Sequence, residues 1–159
     1  MKVYDIVIVG KNISAMTAAI YAGMANIKTL QIACPEETVE VSGVNNYLGY
    51  KTGSYEGFHA KTKQQLEKFN VEKSEENIRK IVIEKGAARI YGNDEILART
   101  LIVSTEEILK KIEKTSNTQD FVFKCGKILN NSTEMISQAG TGCMAAMEAR
   151  EFISKIAKK

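Results

Sequence analysis

The sequence predicts an α/β fold: a parallel central sheet, flanking helices and a small antiparallel β-meander. Three observations carry this. An apolar, β-branched run, "VYDIVIV" (3–9), meets Gly10 and then an alanine-rich helix. A second apolar run, "IKTLQIAC" (27–34), follows at the length of one strand–helix–strand unit, which implies a right-handed parallel crossover. Three β-rich pieces, "IRKIVIEK" (78–85), "ARIYG" (88–92) and "ILARTLIVS" (96–104), are separated only by "GA" and "ND" turns.

Each element has its own justification. Val3 to Val9 is almost continuously apolar, as a central strand covered on both faces should be. Gly10 to Ile13 reads as a turn and Ser14 to Ala25 as a helix, with Ser14 as its cap. Ala15, Ala18, Ala19 and Ala22 recur at helical spacing, so this helix can lie close against the sheet. Residues 35–55 are loop-like and hold the only proline, Pro35. Glu56 to Phe69 reads as a helix. Thr105 to Thr118 is charged and helix-prone, and "FVFKC" (121–125) is a last core strand. Gly140 to Ala157 reads as the final helix, with Gly140 and Gly142 opening it and Thr141 as its cap. No internal repeat is present.

Composition narrows the class. The chain has 159 residues, enough for one domain with one sizeable core. Twenty-two basic and 19 acidic residues give a net charge of +3, which does not mark a nucleic-acid binder. No apolar stretch approaches the ~20 residues of a membrane span, and no signal peptide is read at the N-terminus. Cys34, Cys125 and Cys143 form no C-x-x-C pair, and an odd count argues against a disulfide framework. A reducing, cytoplasmic setting is expected, with the thiols acting as small apolar residues. His59 stands alone in a polar helix. No catalytic residue and no metal site are expected.

The strand–glycine–helix turn has the shape of a dinucleotide-binding fingerprint, G-x-G-x-x-[GA], with Gly10, Asn12 and Ala15 at its key positions. Gly10 keeps the tight turn. Asn12 stands where a second glycine would let backbone approach a pyrophosphate.

Two longer stretches, "DIVIVG…AMTAAIYAGMANIKTL" (5–30) and "QAGTGCMAAMEAREFISKI" (138–156), resemble the low-molecular-weight thioredoxin reductases. "NNYLGY" (45–50) and "QQLEKF" (64–69) are similar to further pieces of that family. The resemblance implies a Rossmann-like FAD/NAD(P)-binding domain over 1–159. Residues 1–105 match its first half and 121–159 its second. The family inserts an NADPH domain with a redox-active C-x-x-C between these halves. Here that place is held by 106–120, and fifteen residues cannot form units of ~30 each.

Followed residue by residue, the resemblance places a degenerate FAD site at Gly10, Asn12, Ser14, Ala15, Asn46, Gly126, Lys127, Gly140 and Thr141. Pro35, Glu36 and Glu37 replace the family's flavin-touching GGQ loop. Ser104, Thr105 and Glu106 replace its ATG turn, and Lys127 replaces an aspartate on the ribityl chain. Thr133, Glu134 and Met135 stand near its RQA segment. No cofactor is therefore expected, and FAD is disfavoured. The expectation is a pseudoenzyme serving as a protein-interaction scaffold, with a further protein partner that the sequence leaves unnamed. The family dimerises through this domain, so a homodimer is expected. The alternatives are a flavin-binding redox protein fed by a separate partner, and a ribonucleoprotein-associated module.

Overall fold

The computed structural model describes residues 1–39, 43–114 and 120–158. Its α/β fold is an eight-stranded, mostly parallel sheet with helices packed on it. Strand β1 (Lys2–Val9) leads through helix α1 (Ile13–Met24) to β2 (Thr29–Ala33), which pairs with β1 in parallel. Helix α2 (Tyr55–Leu66) then leads to β3 (Val71–Glu75), parallel to β2 at the sheet edge. Strands β4 (Lys80–Glu84), β5 (Ala87–Tyr91) and β6 (Glu95–Val103) form the expected antiparallel meander. Strand β6 also runs the length of β1 in parallel, from Lys2 opposite Ile96 to Val9 opposite Val103. Its second half pairs with β8 (Val122–Lys124). Strand β6 thus belongs to the meander at one end and to the parallel core at the other.

The alternation of β1 divides the core. Ile6 and Ile8 join the alanines of α1 and Ala145, Ala146 and Ala149 of α5 (Met135–Ile156). Val7 and Val9 join Ile81, Ile83, Ala88 and Ile90 of the meander, with Ile108. Helices therefore cover one face and the meander supplies the cover for the other. Buried Cys34 and Cys125 behave as apolar residues, and burial pushes their thiols up to about 11 and about 12.

Several expectations need correction. Asn12, not Ser14, caps α1: its side chain accepts from the amide of Ala15. Strand β3 was unforeseen because "VEKSE" buries only Val71. The helix expected over 105–118 is a single turn, α3 (Glu106–Leu109), followed by β7 (Ile112–Lys114) beside β4. Residues 115–118 of that expectation lie outside the described ones. The final helix starts at Met135, so Gly140 and Gly142 lie within it and Thr141 is no cap.

Close approach explains Gly142. A β-carbon there would lie 2.0 Å from the carbonyl oxygen of Ser14 and 3.1 Å from the amide nitrogen of Ala18. Both are backbone atoms that cannot swing aside. At Gly140 a β-carbon meets nothing within 4 Å. Gly142→Ala should therefore cost about 1–3 kcal/mol through overpacking, whereas Gly140→Ala should gain about 0.5–1 kcal/mol of helix propensity. Urea denaturation of the two variants checks both the sizes and the opposite signs.

Candidate functional site

A cleft of about 810 Å³ opens where β1 and β6 end and α1 and α5 begin. Gly10 ends β1 at a φ of +149°, and a β-carbon there would overlap the Ser104 hydroxyl at 1.9 Å. Only glycine fits, so the chain turns into α1 directly beside the end of β6.

Asn12 locks this corner. Its Oδ1 accepts from the Ala15 amide at 3.0 Å and from the Ser14 hydroxyl at 2.6 Å. Its Nδ2 donates to the carbonyl of Ser104 at 3.2 Å. One side chain thus takes up a free donor of the α1 N-terminus and ties it to β6. Behind it, the Thr141 hydroxyl accepts from the Gly126 amide and donates to the carbonyl of Gln138, each at 2.7 Å. Thr141 is held by α5, and Gly126 precedes the short helix α4 (Lys127–Asn130). Gly10, Asn12, Ser14, Ala15, Gly126, Lys127 and Thr141 are therefore brought to one region by the fold.

Asn46 also lines the cleft, but it donates to the carboxylate of Glu134 at 2.7 Å. Gly140 does not: it lies on a second groove with Tyr21, Tyr47 and Cys143. The anion-attracting end of α1 faces Glu37. This carboxylate is 4% exposed and its Oε2 accepts from the Lys11 amide at 3.0 Å. Burial pushes its carboxyl up to about 7, against the pull of the Lys11 and Asn12 amides, and nearby Glu107 adds to the rise. Glu36 instead pairs with Lys111.

Sequence reasoning missed Glu107 and Tyr55, which line the cleft. Glu107 follows the flagged Glu106 and shares its turn of helix. Tyr55 opens α2, but it closes the stretch 35–55 read as loop, one residue before the expected helix. Its hydroxyl is pushed up to about 12 by burial, then by Glu37 and Glu56. Among the described residues no group of three His, Cys, Asp or Glu could hold a metal. Among them, too, no helix is long and apolar enough to cross a membrane.

Comparison with known proteins sets this geometry in context. No family model matches the chain. It is 30% identical over 115 residues to thioredoxin reductase of Bacillus subtilis, a match covering 70% of this chain. The chain spans only 36% of that relative's length. A solved thioredoxin reductase of Streptococcus pyogenes is 30% identical over 65% of this chain and 35% of its own, with a TM-score of 0.57. A ferredoxin-flavin thioredoxin reductase of Clostridium acetobutylicum superposes with a TM-score of 0.82 at 15% identity, over 100% of both chains. Thioredoxin reductase of Giardia duodenalis gives 0.82 at 13% identity, over 97% of this chain and 100% of its own. The last two matches show the fold.

Glu37 makes folding pH-dependent. In the native state it keeps its proton to about pH 7, whereas an ordinary glutamate releases it at 4.5. Between these values the native state binds the extra proton, so stability falls as pH rises and the loss is complete above 7. That interval is worth on the order of 3 kcal/mol. Glu37→Gln should abolish this slope, and denaturant midpoints of both proteins across it check the expectation.

Proposed function

The chain is a thioredoxin reductase homologue of Rossmann-like, flavin-binding oxidoreductase fold, and on that premise we propose that it is a pseudoenzyme: a scaffold that no longer binds NADPH or FAD and works through protein contact as a homodimer. One observation carries the reading. The corner that the family resemblance assigns to the FAD pyrophosphate is satisfied by the chain's own groups, Glu37 on the Lys11 amide and Asn12 on the Ala15 amide.

The residues do not fit FAD. A pyrophosphate at α1 would have to displace both side chains, and would approach the carboxylates of Glu106 and Glu107 as well. Each buried group left unpaired costs ~1–3 kcal/mol, while micromolar affinity is only about 8 kcal/mol. Like-charge repulsion in the partly buried corner adds to the cost. Lys127 offers one compensating charge. In the place of the NADPH domain stand α3 and β7, which belong to this domain's own core and sheet.

The second groove supports the dimer. Tyr21 of α1, Ile136 and Met144 of α5, and Leu48 line this groove, Met24 and Met147 stand three residues on from Tyr21 and Met144 along their helices, and all six are large apolar side chains left exposed. A contiguous patch of this kind marks an interaction surface. A second copy of this chain is the occupant proposed, because the two stretches that most resemble the reductases, 5–30 and 138–156, supply most of it.

Two outcomes follow. The purified protein should be colourless and bind FAD no tighter than ~100 μM by calorimetry, and Asn12→Gly alone should not restore binding because Glu37 remains. A yellow protein, or micromolar FAD affinity, would overturn the reading. In sedimentation the chain should run as a dimer at micromolar concentration, and Met144→Glu should shift it to monomer. A wild-type monomer at high micromolar concentration would remove the homodimer.

A further inference from the structure

Among the described residues, three buried side-chain oxygens have no hydrogen-bond partner: Glu37 Oε1, Tyr55 Oη and Thr105 Oγ1. Their residues are 4%, 7% and 7% exposed. Such orphans are rare in folded proteins and each requires an explanation. Tyr55 and Thr105 line the cleft. Glu37 is joined to them through short contacts: it accepts from the Lys11 amide, the Lys11 carbonyl is bonded by His59, and the His59 ring lies 5.6 Å from that of Tyr55, while Asn12 beside Lys11 bonds the carbonyl of Ser104 next to Thr105. All three oxygens can accept a hydrogen bond.

The surrounding charge selects the donor. Glu106, Glu107 and Glu134 line the cleft against Lys127. An anion is disfavoured by this balance. A single metal ion is disfavoured too, because the carboxylates are spread along the cleft instead of gathered at coordination distance. What suits both facts is an extended cation whose positive charges are separated by apolar links. The volume, about 810 Å³, is that of a small-molecule site.

We propose that the cleft binds a linear oligoamine, one ammonium donating to the oxygens of Glu37, Tyr55 and Thr105 and the others facing Glu106, Glu107 and Glu134. Charge-assisted hydrogen bonds to ammonium groups would satisfy the orphans and neutralise the rim together. The inference rests on the reading that FAD no longer occupies this cleft.

Calorimetry of the full chain with spermidine and, separately, with FAD tests it. Spermidine should bind and FAD should not. Replacing Glu106 and Glu107 together by Gln should weaken spermidine about tenfold or more. Thr105→Val, which removes an oxygen that has no partner to lose, should weaken it several-fold without lowering the unfolding temperature. Glu151→Gln, on α5 and outside the cleft, should leave binding unchanged. If neither ligand binds, the oligoamine site is refuted while the pseudoenzyme reading stands. If FAD binds, both fall. If Glu151→Gln weakens spermidine as much as the double variant, the attraction is general surface charge and the site is refuted.

Discussion

Everything in this domain follows from how closely α1 can be pressed between the sheet and α5. The contact has no room for a side chain at Gly142, where a β-carbon would run into the Ser14 carbonyl. Ala15, Ala18, Ala19 and Ala22 on one helix and Ala145, Ala146 and Ala149 on the other keep the backbones close. Small residues gain little from burial individually. Their value is that they let Ile6, Ile8 and Ile102 of the sheet be covered without a void. The same closeness fixes where α1 begins, and therefore where its unsatisfied amides point.

Those amides must be satisfied whatever the cleft does. In a dinucleotide-binding turn a pyrophosphate serves. Here the cap asparagine takes the Ala15 amide of α1, and a glutamate from the loop after β2 takes the amide of Lys11, in the turn just before the helix. The scaffold and the cleft are thus under separate constraints. Asn12, Glu37 and Lys127 set the charge and donors of the corner, while the strand, turn and helix rest on Gly10 and the alanines of α1.

The sheet was legible because its signals are local. The continuous apolar run of β1, the alanine period of α1 and the short turns of the meander can each be read within a dozen residues. Strand β3 was not, since an edge strand with one buried residue carries no apolar pattern. The start of α5 was hidden by Gly140 and Gly142, which look like helix breakers to a local reading. Only the Ser14 carbonyl across the interface explains Gly142. The candidate cofactor residues other than Gly140 lie in one region because the strand ends gather them. The burial of Glu37 was beyond the sequence: its partner, the Lys11 amide, lies 26 residues away and belongs to the backbone.

A carboxylate is an imperfect occupant of an amide-lined corner. It reproduces one anionic contact, but it is a single charge on a short stem, and Oε1 of Glu37 remains without a partner. Burial then holds its proton to about pH 7. A group that finds its best state by protonation at one end of physiological pH is poorly matched to its site when ionised. A positive group arriving from the cleft would relieve that mismatch in a way that no anion can. On the reading proposed above, the carboxylate that would repel a pyrophosphate from this corner is the same one that would draw in a cation.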